Sequence, residues 1–150
     1  MFSGDSVKLF RCQVCDNLIH FENRTCGRCN HRLGYIPELG IMAALKPAEN
    51  GDCTPVGGDG PRRFCANADH DVCNWLIPAG ALARLCLACR HNDTIPDISS
   101  PENLARWREL EFAKHRLFYS LLRWKLPLQT RAEDPVHGLM FEFLARARRS

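Results

Sequence analysis

Eight of the nine cysteines in the chain fall into two groups of four, and each group could bind one metal ion. The first group consists of Cys12, Cys15, Cys26 and Cys29. A spacer of two residues inside each pair lets a tight turn aim both sulfurs at one ion, and a hairpin between the pairs places the second turn opposite the first. The residue directly after each pair often needs a positive φ, which Asp and Asn tolerate. Asp16 and Asn30 occupy these two positions. The spacing predicts a four-cysteine zinc site.

The second group is less regularly spaced and consists of Cys65, Cys73, Cys86 and Cys89. Its last two members form another two-residue turn, whereas a longer loop separates the first two. His70 lies in that loop and could replace Cys65 or Cys73 as a ligand. The all-cysteine set is preferred because thiolate is the stronger ligand. The sequence therefore predicts two structural Zn²⁺ ions per chain, with His70 as an alternative ligand at the second site.

The ninth cysteine has no place in either group, and the abundance of cysteine bears on the cellular compartment. Cys53 has no cysteine at turn spacing and is expected to be unligated. A cysteine-rich chain without an apolar leader segment is expected in the reducing cytosol, where metal binding is favoured over disulfides.

The charge balance bears on the partner. Lys and Arg number 20 and Asp and Glu 17, a formal charge of +3. Each site of four thiolates and one Zn²⁺ adds about −2, which brings the total to about −1. That charge argues against nucleic acid as the partner, and no apolar run is long enough for a membrane span.

The elements around the cysteines predict a small α+β protein stabilised by metal. Its fold class is a rubredoxin-like zinc ribbon and a second four-cysteine zinc lobe, followed by a long α-helix. The predicted segments are the ribbon at 1–34, a short β segment with a Gly/Pro-rich loop at 35–62, the second lobe at 63–98, the helix at 99–126 and a tail at 127–150. Trp75 follows Cys73 in a short apolar strand and is expected to pack against the second site.

The helix is predicted from a change to helical periodicity at residue 99. Ser99 as the cap, Pro101 in the first turn and Glu102 as the capping-box partner predict its start, and Pro127 predicts its end. Its apolar arc is larger than one small zinc lobe can cover, so part of it is expected to contact the tail at 139–144, a second chain or another protein. The residues predicted for these contacts are Trp107, Leu117, Phe118, Tyr119 and Leu121.

Two sets of ionisable residues could suggest further chemistry. Glu111 and Lys114 interrupt the apolar arc and are expected to reach outward as an i, i+3 pair. Glu133, Asp134 and His137 lie close together in sequence, but a turn with an Asp cap is the better interpretation than an acid–base or metal site.

Several strings make the chain resemble the N-terminal half of a bacterial family of zinc-binding metallopeptidases that carry a zinc-ribbon domain. They include CNWL at 73–76, TIPD at 94–97 and RAEDPVHGLMFEFLA at 131–145, and the resemblance extends from Cys12 to about residue 145. In that family a peptidase-like half with a His-Glu-x-x-His helix follows the ribbon half. None of the six histidines in this sequence begins such a motif. The resemblance therefore implies a short member or a fragment of the family.

The function expected for this chain is a non-catalytic, zinc-binding interaction or scaffold module. Closed four-cysteine sites offer no open position for catalysis, and no other catalytic motif is present. The expected partner is a protein, either the missing peptidase half or a second copy, bound through the helix at 101–124. The alternatives are a nucleic-acid-binding zinc-ribbon protein and a fragment of an active metallopeptidase.

Overall fold

The computed structural model describes residues 9–58 and 60–145, which divide into two compact units. The sheet unit consists of Met1–Cys65 and Asn74–Ala83, and the helix unit consists of Ala66–Cys73 and Arg84–Ser150. The mixed α+β architecture with two four-cysteine clusters and one long helix confirms the predicted fold class. No helix in the described part of the chain is both long and apolar enough to cross a membrane.

The sheet unit contains a short hairpin and a five-stranded antiparallel meander. In the hairpin, β1 (Phe10–Arg11) pairs with β2 (Leu18–Ile19). The meander runs in the order β3 to β7, and its strands are β3 (Arg32–Ile36), β4 (Ile41–Pro47), β5 (Cys53–Pro55), β6 (Arg62–Phe64) and β7 (Leu76–Pro78). The meander thus contains residues from both sides of the predicted boundary between 62 and 63, with β6 across it and β7 beyond it.

Apolar residues on the sheet form the core of this unit. The buried members of the cluster are Ile36, Ala43, Leu45, Cys53 and Leu76. Leu76 packs directly on Gly34, where a Cβ would lie 2.7 Å from its Cγ, so this position requires glycine. Trp75, expected to pack against the second cysteine cluster, accepts a hydrogen bond at its backbone O from N of Cys65 at 3.0 Å. It is buried beside Tyr35, with ring centroids 4.9 Å apart, because Tyr35 and Trp75 pair through a backbone bridge.

The helix unit is built around α1 (Pro101–Arg123), a helix of 23 residues. Two short strands, β8 (Asn92–Thr94) and β9 (Phe141–Glu142), pair in parallel. Val72, Trp107 and Phe143 form the buried apolar cluster, and Phe118 stacks obliquely on Phe141 at 5.8 Å. These contacts confirm the prediction that the helix meets the tail.

The N-cap of the helix lies one residue later than predicted, at Ser100 instead of Ser99. The side chain of Ser100, not Ser99, accepts a hydrogen bond from the backbone N of Asn103 at 3.5 Å. Ser99 instead donates from its own N and Oγ to Oδ1 of Asp97 at 3.0 and 2.6 Å. Pro101 still occupies the first helical position, where its missing N–H is not needed.

Candidate metal centres

The first cluster is formed by two turns with matching backbone hydrogen bonds. In one turn the N of Cys12 donates to O of Asn17, and the N of Asp16 donates to O of Cys12, both at 2.9 Å. In the other turn the N of Cys26 donates to O of His31, and the N of Asn30 donates to O of Cys26, also at 2.9 Å. Asp16 and Asn30 have φ of 62° and 61°, which confirms the backbone conformation predicted at both positions.

The sulfur geometry of this cluster fits one zinc ion. The ligand atoms of Cys12, Cys15, Cys26 and Cys29 all lie within 4.8 Å of one another. Sγ of Cys12 is 3.6 Å from that of Cys29, and Sγ of Cys15 is 3.5 Å from that of Cys26. A tetrahedron with Zn–S bonds of about 2.3 Å has edges of about 3.8 Å, whereas a disulfide would need about 2.05 Å. The cluster thus has the dimensions of a four-thiolate zinc site.

The local electrostatics at this site favour one thiolate and oppose further ones unless a cation is bound. The backbone N–H groups of Cys29 and Arg28 lower the pKa of Cys26 to about 6. At Cys29 the N–H of His31 favours the thiolate, but burial and the sulfur of Cys12 raise the pKa of Cys29 to about 12. The first thiolate therefore forms easily, and the next ones are opposed by the negative charge beside them. A divalent cation removes that opposition.

A side-chain clamp ties the first cluster to the sheet. The amide of Gln13, inside the first turn, donates to O of Met42 at 2.7 Å and accepts from N of Ala44 at 2.6 Å. Gln13 thus satisfies backbone groups of β4 and fixes the turn that holds Cys12 and Cys15.

The second cluster brings together the four cysteines predicted for it. The sulfurs of Cys65, Cys73, Cys86 and Cys89 lie within 4.8 Å of one another, and all four residues are buried. Sγ of Cys73 is 3.7 Å from Sγ of Cys86, close to the edge of a ZnS₄ tetrahedron. The backbone N of Cys89 donates to Sγ of Cys86 at 3.4 Å. The two clusters therefore fit two structural zinc ions.

His70, the alternative ligand, does not belong to either cluster among the described residues. It lies in a 3₁₀ turn at Ala66–His70, and its ring is 6.0 Å from that of Trp107. The four sulfurs lie together, whereas the ring of His70 lies beside Trp107, and this supports the all-cysteine set at the second site.

Two residues of helix α1, Arg108 and His115, make polar contacts beside the second cluster that were not predicted from the sequence. Arg108 donates from Nε to O of Asp71 at 3.2 Å and from Nη2 to O of His70 at 3.4 Å, and so holds the loop before Cys73. Nε2 of His115 lies 3.7 Å from Sγ of Cys89. The sequence signal that could have indicated these contacts is the recurrence of ionisable residues at helical spacing within the apolar arc.

The pair Glu111 and Lys114 is buried, which corrects the expectation that both reach outward. Glu111 is 0% and Lys114 3% exposed, and Nζ of Lys114 lies 2.8 Å from Oε2 of Glu111. Oε1 accepts from Nε1 of Trp107 at 3.0 Å and from Nδ2 of Asn92 at 2.6 Å. The burial follows from the 3.6-residue period, because Trp107, Glu111 and Lys114 share the inner face of α1.

Cys89, Glu111 and His115 also lie close enough to form a third possible metal site. The carboxylate of Glu111 is already occupied by an ammonium, an indole N–H and an amide N–H. A cation at this position would face the charge of Lys114 and would have to displace these donors. The group is therefore better described as a polar cluster beside the second zinc site.

The residues at 133–137 form a capped turn, as predicted. Oδ1 of Asp134 accepts from the backbone N of Val136 and of His137, both at 3.0 Å. Glu133 accepts from N and Oγ1 of Thr130 at 2.7 and 3.1 Å. The N–H of His137 holds the pKa of Asp134 below its ordinary value, and the N–H of Thr130 does the same for Glu133. Both carboxylates therefore serve the turn.

The residues predicted for partner contacts fall into a buried set and a set that is at least partly exposed. Trp107 and Phe118 are 1% and 0% exposed and lie inside the helix unit, so the structure corrects their assignment to an interface. Leu117 is 44% exposed, and Tyr119 and Leu121 are half-buried. For these three residues a contact with a partner stays a prediction.

Comparison with known proteins agrees with this arrangement of cysteines. Residues 9–100 match a family described as a zinc-ribbon domain, and residues 103–150 match one described as "Putative zinc-binding metallo-peptidase". The chain belongs to this zinc-ribbon family. The resemblance stated from the sequence strings is thereby confirmed, and the boundary between the two matched regions falls at the start of α1.

Relatives of this zinc-ribbon chain are longer proteins. It is 36% identical over 138 residues, 92% of its length, to uncharacterized proteins of Mycobacterium tuberculosis and Mycobacterium bovis. The chain spans 37% of the length of these relatives. No solved structure gives a significant match.

Proposed function

We propose that this chain is a non-catalytic scaffold module in which two zinc ions stabilise the fold and helix α1 serves as the docking element. The observation that carries the proposal is that each cluster already has four thiolates within reach of one ion. A catalytic zinc needs an open position for water or substrate, and four protein ligands leave none. Zinc at these sites would therefore stabilise the fold and would not take part in catalysis.

The free energy available from zinc binding is at least as large as the net stability of a small unit. A structural zinc site contributes about 10–16 kcal/mol of apparent folding free energy. A small domain has a net stability of about 5–15 kcal/mol, so loss of either ion would unfold the surrounding residues. The four ligands need reduced thiols, and for this reason we place the protein in the cytosol.

The outer face of α1 is the proposed docking surface. Three large apolar residues on this helix and just after it are exposed: Leu110 at 52%, Leu117 at 44% and Trp124 at 64%. We assign as their partner the peptidase-like remainder of a longer family member. This choice is supported by the greater length of the relatives and by the metallopeptidase match that begins at residue 103.

Metal analysis and a protease assay test the non-catalytic role. Purified chain should contain two zinc ions, Cys73→Ser should lower the content to one, and the matched control His70→Ala should retain two. The chain should not cleave unfolded casein. Chelator-sensitive cleavage that Glu133→Gln abolishes would overturn the proposal.

A further inference from the structure

Three large apolar side chains form a straight row along the exposed side of α1. Leu110 is 52% exposed, Leu117 44% and Trp124, at the C-cap of the helix, 64%. Each lies seven positions after the one before it. Two turns of an α-helix take about 7.2 residues, so these side chains lie almost in line along the helix axis. We call this row the outer ridge.

Small side chains occupy the positions between the residues of the outer ridge. Ala113 is exposed and Ser120 is half-buried, and each lies three positions after a leucine of the ridge. The large and small residues thus alternate in steps of three and four, which is the spacing of two helices packed along their length. Small side chains let a facing backbone approach closely, and the large ones then enter the spaces between its side chains. The outer ridge has the pattern of a surface that packs against another helix.

The tail of the helix unit packs on a different side of α1. Phe141 stacks obliquely on Phe118, and Phe143 belongs to the same buried cluster as Trp107. Successive helix positions are rotated by about 100°, so Phe118 points away from the direction of Leu117. The contacts of the tail therefore leave the outer ridge exposed. A contiguous row of exposed apolar side chains marks an interaction site more often than scattered ones do.

The longer relatives contain further chain that can cover the outer ridge. The match with the metallopeptidase family begins at residue 103, in the first turn of α1, and continues to residue 150. The chain spans 37% of the length of its mycobacterial relatives, so more than half of each relative lies outside the aligned part. By sequence, α1 therefore belongs to the region that matches the metallopeptidase family. Its outer ridge is the exposed face on which the packing of that region can continue.

The charges beside the C-terminal end of the ridge are basic. Arg123 directly precedes Trp124 and Lys125 directly follows it, and both side chains are exposed. Two cations beside an exposed apolar side chain favour a partner with negative charge at the same place. A helix that covers the ridge should therefore carry Asp or Glu where it meets Trp124.

We infer that the outer ridge is covered by an α-helix from the peptidase-like remainder of longer family members, packed lengthwise on α1 and acidic where it meets Arg123 and Lys125. The inference rests on the proposed function, because it takes the same remainder as the partner of α1. It adds the secondary structure of the partner, its mode of packing and its charge. In this arrangement the inner face of α1 completes the helix unit, and the outer ridge joins that unit to the remainder.

Added bulk between the ridge residues tests the close packing of two helices. Ala113→Leu makes the surface more apolar, but its larger side chain keeps a facing helix at a distance. Binding of the zinc-loaded full chain to the separately expressed remainder of the Mycobacterium tuberculosis relative should therefore weaken about 10-fold or more in calorimetric titration. Ala105→Leu is the matched control, because Ala105 is an exposed alanine on another side of the same helix, and binding should not change. Both variants should retain the helical circular dichroism and two zinc ions.

A charge reversal tests the acidic character of the partner. Binding of the wild-type chain to the same remainder should weaken as salt rises from about 50 to 500 mM, because salt screens exposed charges. Arg123→Glu should weaken binding at low salt and reduce this salt dependence. Unchanged binding of Arg123→Glu at low salt would overturn the acidic partner.

The possible outcomes separate this inference from the proposed function. Binding that Leu117→Asp abolishes but Ala113→Leu leaves unchanged or strengthens would overturn the packing of a helix and keep the docking surface. A wild-type chain that does not bind the remainder would overturn both. Self-association that Ala113→Leu disrupts, without binding to the remainder, would assign the outer ridge to a second copy and would also overturn the inference.

Discussion

At the scale of single residues, small polar side chains decide how well the first site is formed. Asp16 and Asn30 accept the left-handed backbone that ends each turn, and Gln13 fastens one turn to β4. The second site does not repeat the first of these features. Its turn at Cys86 and Cys89 continues into a 3₁₀ turn at Cys89–His91, and none of these three residues has a positive φ.

Replacement of Asp16 tests the demand for a positive φ. Asp16→Val should destabilise the sheet unit by about 1–2 kcal/mol or more, because a left-handed conformation costs an L-residue that amount and a β-branched side chain tolerates it poorly. Chelator competition should then reveal weaker zinc binding at the first site. Asp16→Gly is the control and should be nearly neutral, since the ion pair of Asp16 with Arg11 is solvent-exposed. Equal effects of Val and Gly would contradict the explanation.

Cys53 is expected to be the one unligated thiol of the zinc-bound chain. It is buried in the core of the sheet unit and donates from Sγ to O of Arg62 at 3.3 Å. Burial raises its pKa above the ordinary value of 9.0, so its thiolate forms at higher pH in the folded chain than in the unfolded chain. Iodoacetamide at pH 8 should leave Cys53 unmodified until denaturant is added, and Cys53→Ala should still bind two zinc ions. Rapid labelling in the folded, zinc-bound chain would contradict this expectation.

At the scale of elements, α1 has an inner face that is both apolar and ionic. Trp107 and Phe118 pack in the core, while Glu111 and Lys114 form an ion pair between them. A buried pair of this kind contributes little net stability when intact, because desolvation offsets the attraction. Removal of one partner leaves an uncompensated charge, which is far more costly.

Substitutions of Lys114 and Glu111 distinguish these two effects. Lys114→Met should lower the free energy of unfolding by about 3–5 kcal/mol, because Glu111 would remain buried without its cation. Adding Glu111→Gln to that variant should recover much of the loss, since the amide carries no charge. Denaturant unfolding of zinc-bound protein, followed by tryptophan fluorescence, measures both values. A cost below about 1 kcal/mol for Lys114→Met would place the pair in an effectively solvated setting.

At the scale of the whole molecule, each of the two small units contains cysteines of a four-cysteine cluster. Part of the apolar surface of α1 is left uncovered, since Leu110, Leu117 and Trp124 are all exposed. Neighbouring helix positions therefore have opposite roles, with Phe118 internal and Leu117 external.

Leu117→Asp and Phe118→Asp form a matched pair of variants on this helix. Leu117→Asp should keep the helical circular dichroism and both zinc ions, because this side chain is 44% exposed. Phe118→Asp should unfold the helix unit, since a carboxylate would replace a fully buried ring. Binding to the separately expressed remainder of the Mycobacterium tuberculosis relative should be lost in Leu117→Asp. Undiminished binding would contradict the docking surface, and self-association lost in the same variant would identify a second copy as the occupant.

Binding to nucleic acid provides a further test at this scale. The net charge of about −1 with two zinc ions predicts at most weak, salt-sensitive binding. Duplex or single-stranded DNA bound firmly at about 200 mM salt, with a loss in Arg123→Ala, would favour the nucleic-acid alternative over the scaffold proposal.

The sequence by itself determined the zinc ligands, because ligand spacing within a turn is a local property of the chain. The pairs of cysteines, the positive φ of Asp16 and Asn30 and the helix after Pro101 all follow from a few neighbouring residues. Cys73 was also predictable, since no other use of a fourth sulfur was available. The long apolar arc indicated contact with the tail, although not which residues face it.

Only the tertiary structure decided what surrounds those ligands. Trp75 joined the aromatic residues of the sheet unit, and Glu111 and Lys114 turned inward. His115 reached Cys89, although His70 was far closer in sequence to the cysteines. Helical periodicity gives the side of α1 on which a residue lies, but the partners on that side come from distant parts of the chain. Burial of a charge depends on those partners, so it could not be derived from local spacing.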